Sequence, residues 1–339
     1  MSTATLERES APAQRERREL LHGMAWVVWR QHRGAVWTGL VLLVVLAGVA
    51  VYLRNGAASF VQQHDLAGCT LFGGPERCGE RREEIGQLRS QFRTPIRMFL
   101  VVVMALPFVG GLFVGAPLIA KELETGTYRL AWGQSITPQR WLLHKLALPI
   151  GAMILVSAIA GFLASWVLAG AGQATLGLYW YSALGFVPTG PALVGYAALG
   201  IALGGAVGLL VRRTVASMAL TLAGLGAVLL LLQTVRSHLA TPVTYLANKM
   251  PRISEESWVL SDVRTASADG KIFPSDLCAK TPDARFDSCL ADHGATYHHA
   301  VYHPLSHMRQ LQFTEGAICL ALAALLVAAS WWWLRRRAL

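Results

Sequence analysis

Six long apolar runs constrain the fold of this 339-residue chain more than any other feature. An α-helix needs about 20 apolar residues to cross roughly 30 Å of hydrocarbon. Each run has about that length, and only 15% of the residues are charged, against about a quarter in soluble chains. The sequence therefore predicts an all-α polytopic membrane protein. Its six transmembrane helices are expected near residues 34–53, 96–119, 142–169, 190–211, 214–235 and 313–334.

Basic residues in the short segments predict the sidedness. An even number of spans puts both termini on one side of the membrane. Arg212–Arg213 and the terminal run Arg335–Arg337 then lie on the side of the basic N-terminus, whereas the 170–189 link has no Lys or Arg. By the positive-inside rule that side is the cytoplasm. The loop over 54–95 carries six arginines and opposes this topology, but reversing it would place three other arginine clusters outside.

This topology divides the chain into four parts. Residues 1–33 form a cytoplasmic tail and an interfacial helix, or else the helix is simply the start of a longer first span. Residues 34–235 hold the first five spans, with a polar coupling segment at 119–141. Residues 236–312 form an extracellular loop long enough to fold into a cap. Residues 313–339 hold the sixth span and a basic cytoplasmic tail.

The polar link at residues 115–145 has more local structure than an ordinary loop between two spans. Its charged side chains are too costly to place in hydrocarbon, so they lie in water or against protein. Apolar residues between 121 and 132 suffice for a short interfacial helix. Thr137 and Pro138 are a suitable N-cap and first residue for the next helix. We expect this link to dock against a partner protein; a solvated loop is the alternative.

The same link carries a resemblance to a known family. The chain resembles the permeases of type-2 ABC exporters (ABCG-like, with the type V exporter fold), in a bacterial subgroup. The resemblance extends to residues 29–33, 187–188, 312–316 and the glycine-rich fourth span, while Gly133 and Pro138–Gln139 depart from it. Within the link, it rests on Gly115-Ala116-Pro117, Glu122, Glu124-Thr125-Gly126-Thr127, Arg129-Leu130-Ala131-Trp132, Gln134-Ser135, Arg140-Trp141 and Lys145.

The resemblance implies a permease subunit in a bacterial plasma membrane. It would export a hydrophobic or amphiphilic small molecule, such as a drug, an antibiotic or a lipid-like compound, by alternating access. A separate ABC ATPase would hold ATP and Mg, and a second permease chain, identical or related, would complete the path. Glu122 and Glu124 would be docking carboxylates, Arg129 a counter-charge and Trp132 an apolar anchor. Between them, a break in the coupling helix is expected at Thr125, Gly126 and Thr127.

The motifs of common enzymes are missing from the sequence. It has no Gly-x-x-x-x-Gly-Lys-Ser/Thr phosphate loop, no His-Glu-x-x-His and no Gly-x-Ser-x-Gly. We therefore expect no enzymatic activity and no cofactor bound by this chain. The net charge of +10 is scattered over the loops, which argues against nucleic acid as a partner.

Four histidines near the end of the large loop are the one feature that suggests a metal. His299, His303 and His307 have the spacing of one helix face, which suits zinc, and His298 is adjacent. Pro304 would break that helix, so we expect no metal site. A membrane metalloenzyme using this segment is a competing hypothesis. A non-transporting immunity or sensor protein built on the permease scaffold is another.

Four of the five cysteines lie in the two loops assigned to the exterior. Cys69 and Cys78 are in the first loop, and Cys278 and Cys289 are in the second. An oxidising exterior favours two local disulfides. Pairing between the loops and free thiols are the alternatives.

Two further sets of residues lie inside the spans. Gly200, Gly204 and Gly208 recur every four residues and form a groove that admits a neighbouring backbone, and Gly111 and Gly115 repeat the spacing in the second span. These glycines serve packing or, alternatively, sliding during gating. Glu315 is an acid near the outer end of the sixth span. It either contacts a cationic substrate, pins the cap loop or reaches the surface.

Overall fold

The computed structural model describes residues 24–69, 77–129, 137–172, 175–251, 253–279, 281–282 and 285–337. Within these residues, six helices are long and apolar enough to cross a membrane, as the sequence predicted. The polytopic helical class is therefore confirmed. The six candidate spans are Trp37–Gln63, Arg82–Thr125, Pro138–Ala171, Pro191–Val211, Thr214–His238 and His307–Arg336.

The described residues form eleven α-helices, and the cap loop separates the last spanning helix from the others. In chain order they are α1 (Met24–Gln63), α2 (Arg77–Glu80), α3 (Arg82–Leu88), α4 (Thr94–Gly110), α5 (Ala116–Thr125), α6 (Pro138–Ala171), α7 (Ala183–Phe186), α8 (Pro191–Val211), α9 (Thr214–Val235), α10 (Phe286–Asp292) and α11 (His307–Arg337). Two π-helical segments, Arg89–Arg93 and Gly111–Gly115, join α3 to α4 and α4 to α5, so the second span is continuous. Single 3₁₀ turns, Val187–Thr189 and Arg236–His238, follow α7 and α9.

Helix α1 is longer than the first predicted span at both ends. It is continuous from residue 24, so within the described residues the segment predicted as an interfacial helix and the first span form one helix. Beyond residue 53 the helix continues because it packs on the start of the second span. Ala57 is fully buried, and the ring centroids of Phe60 and Phe92 are 6.3 Å apart.

Helix α8 lies at the centre of the bundle and contacts α4, α5, α6, α9 and α11. Its small residues allow this close packing. A Cβ on Gly204 would lie 2.5 Å from the backbone nitrogen of Ala116, and one on Gly200 would lie 2.6 Å from the carbonyl oxygen of Pro107. Both distances are far below van der Waals contact.

The other three predicted glycines join the same contact. A Cβ on Gly111 would lie 2.9 Å from the carbonyl oxygen of Gly200, and one on Gly115 would lie 2.9 Å from the backbone of Ile201. One on Gly208 would lie 2.9 Å from the carbonyl oxygen of Ala116. The five glycines thus form one backbone-to-backbone contact between α8 and the π-helical segment with the start of α5.

The large loop contains a small antiparallel sheet, which the sequence did not indicate. Its strands are β1 (Val243–Ala247), β2 (Trp258–Ala266) and β3 (Tyr297–His303), in the order β1-β3-β2. We call residues 239–306 the cap, and the end of the bundle beneath it the cap end. Disulfide bonds join Cys278 to Cys289 within the cap and Cys69 to Cys78 at the same end.

The cap is held on the bundle by contacts with the link between α6 and α7. The indole nitrogen of Trp180 donates a hydrogen bond to the carbonyl oxygen of Glu256, at 2.5 Å. Tyr181 stacks on Trp258, with ring centroids 5.8 Å apart. The hydroxyl of Thr175 donates to the carbonyl oxygen of Cys69, so the first loop is attached to the same link.

Candidate functional site

Glu122 lies near the end of α5 and forms an ion pair with Lys145 of α6. The ammonium group is buried, with 7% of the Lys145 side chain exposed, and it lies 5.4 Å from the centre of the Trp141 ring. A buried cation needs a paired anion, because the low-dielectric interior does not solvate it. The Glu122 carboxylate therefore ties the second span to the third.

Glu124 caps the N-terminus of α9. Its carboxylate accepts hydrogen bonds from the backbone nitrogen of Thr214 at 2.9 Å and from the Thr214 hydroxyl at 2.7 Å. The first N–H groups of a helix have no partner within the helix, and a negative charge is favourable there. Arg213, in extended conformation just before the helix, supplies no side-chain cap. Glu124 from another span takes that role.

The segment from residue 121 to residue 129, which we call the tip, turns sharply at Gly126. This glycine has φ = 73°, a left-handed conformation that ends α5, and the Thr125 hydroxyl donates to the Lys121 carbonyl oxygen at 2.8 Å. Thr127 and Arg129 are exposed. A hydrogen bond with Tyr128 raises the pKa of Arg129 above its already high ordinary value, so its charge is permanent.

The predicted docking residues thus divide into two groups. Glu122 and Glu124 bind residues of other spans, whereas Thr125 and Arg129 bond to neighbours within the tip. Thr125, Thr127 and Arg129 are exposed, and so is Glu124. Trp132, the expected apolar anchor, lies outside the described residues. The intramolecular role of the carboxylates was missed because Thr214 is distant in sequence. One local signal for the role of Glu124 was available: Arg213, which precedes α9, is neither acidic nor a hydroxyl residue, so the helix start needed a cap from elsewhere.

A second polar cluster lies at the cap end. The guanidinium of Arg236 binds both carboxylate oxygens of Glu315, with Nε–Oε2 at 2.9 Å and Nη2–Oε1 at 3.1 Å. The Tyr196 hydroxyl donates to Oε1 at 2.8 Å. Arg236 is 1% exposed and Glu315 is 0% exposed. The cluster joins α8, the end of α9 and α11.

Aromatic and amide groups enclose this cluster. The Arg236 guanidinium carbon lies 3.7 Å from the centre of the Phe186 ring, a cation–π contact. Gln312, one turn before Glu315, donates to the Phe186 carbonyl oxygen at 2.9 Å. The sequence left three roles open for Glu315: contact with a substrate, pinning of the cap loop, or reaching the surface. Its carboxylate is buried and paired with Arg236, at which the chain enters the cap loop. Arg236 itself was not singled out.

The four histidines do not lie on one helix face. His298 and His299 lie within β3, and His303 ends that strand. His303 contacts His307, the first residue of α11. Among the described residues, one group of three potential ligands is close enough to hold a metal, namely Cys278, Cys289 and His293, and its two sulfurs are joined in a disulfide.

An apolar groove of about 520 Å³ opens between α6, α8 and α11. Aliphatic side chains and one indole line nearly all of it, among them Ile150, Ile154, Leu320, Val327 and Trp331. Its chemistry suits an apolar molecule or a lipid tail.

A family model described as ABC-2 membrane transporter related matches residues 40–236, which is more than half of the chain. The matched range runs from α1 to Arg236 and includes the tip and the glycine contact. No curated protein and no solved structure matches the chain. The chain belongs to the ABC-2 membrane transporter related family and is a permease-like membrane protein of the ABC-2 type.

Proposed function

We propose that this chain is the membrane subunit of an ATP-driven exporter that works with a separate ABC ATPase and a second permease chain. The observation that carries the proposal is the structure of the tip. Its exposed side chains are polar or charged, with Lys121 and Arg129 as cations, and its two carboxylates are bound to α6 and α9. A protein that binds the tip and moves it would move three spans together.

Helix α9 extends this connection to the cap end. It has 22 residues, a length of about 33 Å at 1.5 Å per residue. Glu124 binds its first residue, and Arg236, which directly follows its last, is paired with Glu315 of α11. A displacement of the tip by the ATPase would tilt α9 and pull on the chain where it enters the cap. Both ends of the transport path would then respond to one event.

The apolar groove supports a hydrophobic or amphiphilic cargo. Its lining offers almost no polar surface, so a strongly polar molecule would lose its hydration there without replacement. The glycine contact supports movement, because α8 and the π-helical segment have no side chains between them at Gly111, Gly200 and Gly204. We propose that this contact shifts when the transporter changes access.

The test uses the permease co-expressed with the separate ABC ATPases of its own genome, one at a time. Arg129→Glu changes the exposed tip and is expected to abolish co-purification of the ATPase. Glu124→Ala breaks the bond to α9 and is expected to keep co-purification but lose stimulated ATP hydrolysis and uptake of a fluorescent amphiphile into inverted vesicles. Thr244→Val, at an exposed position of β1, is the control and should change neither.

Three results would contradict parts of this proposal. If the wild-type permease neither co-purifies with the ATPase nor changes its hydrolysis, the ATPase partnership is wrong. If Glu124→Ala behaves like the Thr244→Val control, the tie between the tip and α9 does not transmit movement. If the ATPase binds but the vesicles take up no amphiphile, a non-transporting immunity or sensor role replaces export.

A further inference from the structure

Two histidines join the cap to the helical bundle. His303 ends β3, and His307 begins α11. Their Nδ1 atoms are 3.0 Å apart, and Nε2 of His303 lies 3.0 Å from the carbonyl oxygen of Ser237 in the 3₁₀ turn after α9. His303 is fully buried. One imidazole therefore connects the cap sheet with two membrane helices.

The partners fix where the protons lie. A carbonyl oxygen can only accept a hydrogen bond, so Nε2 of His303 carries a hydrogen. When His303 is neutral, its Nδ1 is bare and accepts a hydrogen bond. His307 must then carry a hydrogen on its own Nδ1 and donate it. The contact is complete when His303 is neutral.

The pair can hold one positive charge but not two. A first added proton can bind Nε2 of His307, which leaves the hydrogen bond between the rings unchanged. A second proton must bind Nδ1 of His303. It would place N–H against N–H across 3.0 Å, between two cations. The bond between the rings would then become a repulsion.

The surroundings offer the second charge little compensation. Ser237 lies between Arg236, which is paired with Glu315, and His238, whose Nδ1 is 3.2 Å from the Ser237 hydroxyl. The other face of His303 meets Trp258, with ring centroids 5.6 Å apart, and Trp258 stacks on Tyr181. None of these groups is an unpaired carboxylate.

Burial acts in the same direction as this geometry. Burial is the largest cause that lowers the pKa of His303, the charge of His307 lowers it further, and the bond to Ser237 opposes them. A lowered pKa means that the folded protein favours neutral His303. The resulting stabilisation is present at neutral pH and is lost as the pH falls from about 6.5, the ordinary histidine value, toward the pKa of the folded state.

We propose that His303 and His307 form a proton-operated contact that holds the cap on the bundle at neutral pH and releases it when both rings are protonated. This proposal does not depend on export or on an ATPase. It requires the two rings, Ser237 and acid on the cap side of the membrane.

Hydrogen exchange of the purified protein in lipid nanodiscs tests the contact. The peptides measured cover residues 236–240 and 303–308, between pH 7.5 and pH 5, after correction for the intrinsic pH dependence of exchange. In the wild type we expect exchange to rise once the pH falls below about 6.5. The rise should be about tenfold for each unit by which the pKa of His303 is lower in the folded state than in the unfolded state. His307→Asn keeps a hydrogen-bond partner that does not titrate and that can accept from a protonated His303, so the part of the rise that comes from the second ring should be lost and the rise should be smaller than in the wild type.

His299→Gln is the matched control. His299 lies on the same strand but pairs with Leu246 and Arg264 within the sheet, so this variant should keep the acid transition. If His307→Asn shows the same rise as the wild type, the proposal is wrong.

A measurement on the wild type alone remains decisive if that variant does not fold. In nitrogen-15 spectra, His303 should keep its neutral, Nε2–H form at pH values below about 6.5, where an ordinary histidine is already protonated. If His303 were protonated in the ordinary range, the proposed contact would be wrong.

Discussion

Removing one member of the buried ion pair at the cap end should destabilise the protein strongly. Arg236 and Glu315 are both buried and bind each other through two hydrogen bonds. Glu315→Gln leaves the guanidinium without its counter-charge and should destabilise the protein by roughly 3–5 kcal/mol, whereas removing both charges together should cost far less. Thermal unfolding in detergent of Glu315→Gln and of the double variant Arg236→Met/Glu315→Met measures the difference.

Tyr196→Phe is the matched control at this cluster. It removes one hydrogen bond to Glu315 and leaves both charges in place, so we expect a loss of about 0.5–1.5 kcal/mol. If the Glu315→Gln variant were no less stable than the double variant, the ion pair would not be responsible for holding α9 and α11 together at this end.

The sequence reveals the carboxylates of these sites but not the residues that bind them. Glu122, Glu124 and Glu315 stand out because each is a charge at the edge of an apolar run, where the cost of burial demands a partner. Their partners do not stand out. Thr214 and Arg236 belong to a different helix, and nothing near them in sequence encodes which carboxylate will approach them. Lys145 was visible in the family resemblance, but its pairing with Glu122 was not.

At the scale of elements, the contact between α8 and the start of α5 allows a sharp test. A Cβ on Gly204 would lie 2.5 Å from backbone, whereas one on Gly226 of α9 has nothing within 4 Å. Gly204→Ala should therefore force the helices apart and cost about 1–3 kcal/mol. Gly226→Ala should be neutral, or stabilising by roughly 0.5–1 kcal/mol because alanine loses less entropy in a helix.

The two alanine variants are compared by their unfolding temperatures in the same detergent. Equal unfolding temperatures for Gly204→Ala and Gly226→Ala would show that the close approach of the two helices does not limit stability.

Elements differ in how well the sequence predicts them. The spans were found because a run of about 20 apolar residues is a local signal. The cap sheet was missed because its strands pair over long distances in sequence, as Val243 does with Tyr302. Strand β3 also carries three histidines, which have no strong strand preference. The length of α1 was underestimated because its last turns are stabilised by Phe92, a tertiary contact.

The sidedness of the whole molecule is open to a direct test. The proposed topology places the tip in the cytoplasm and the cap outside. Lys121→Cys and Lys249→Cys are both at exposed positions, one on the tip and one in the cap. In intact cells a membrane-impermeant maleimide should label Lys249→Cys, and it should label Lys121→Cys after permeabilisation. Labelling of Lys121→Cys in intact cells would invert the topology and remove the surface proposed for the ATPase.

Helix α9 is bound at its first residue by Glu124 and just beyond its last by Arg236. Inserting one residue between these points would rotate one relative to the other by about 100° and lengthen the helix by about 1.5 Å. The two attachments could not then form at once, although the span would remain apolar enough for lipid. The number of residues in this span is therefore set by the rotation that its two attachment points require about the helix axis, rather than by membrane thickness. Close relatives should tolerate changes of side chain within the span far better than changes of its length.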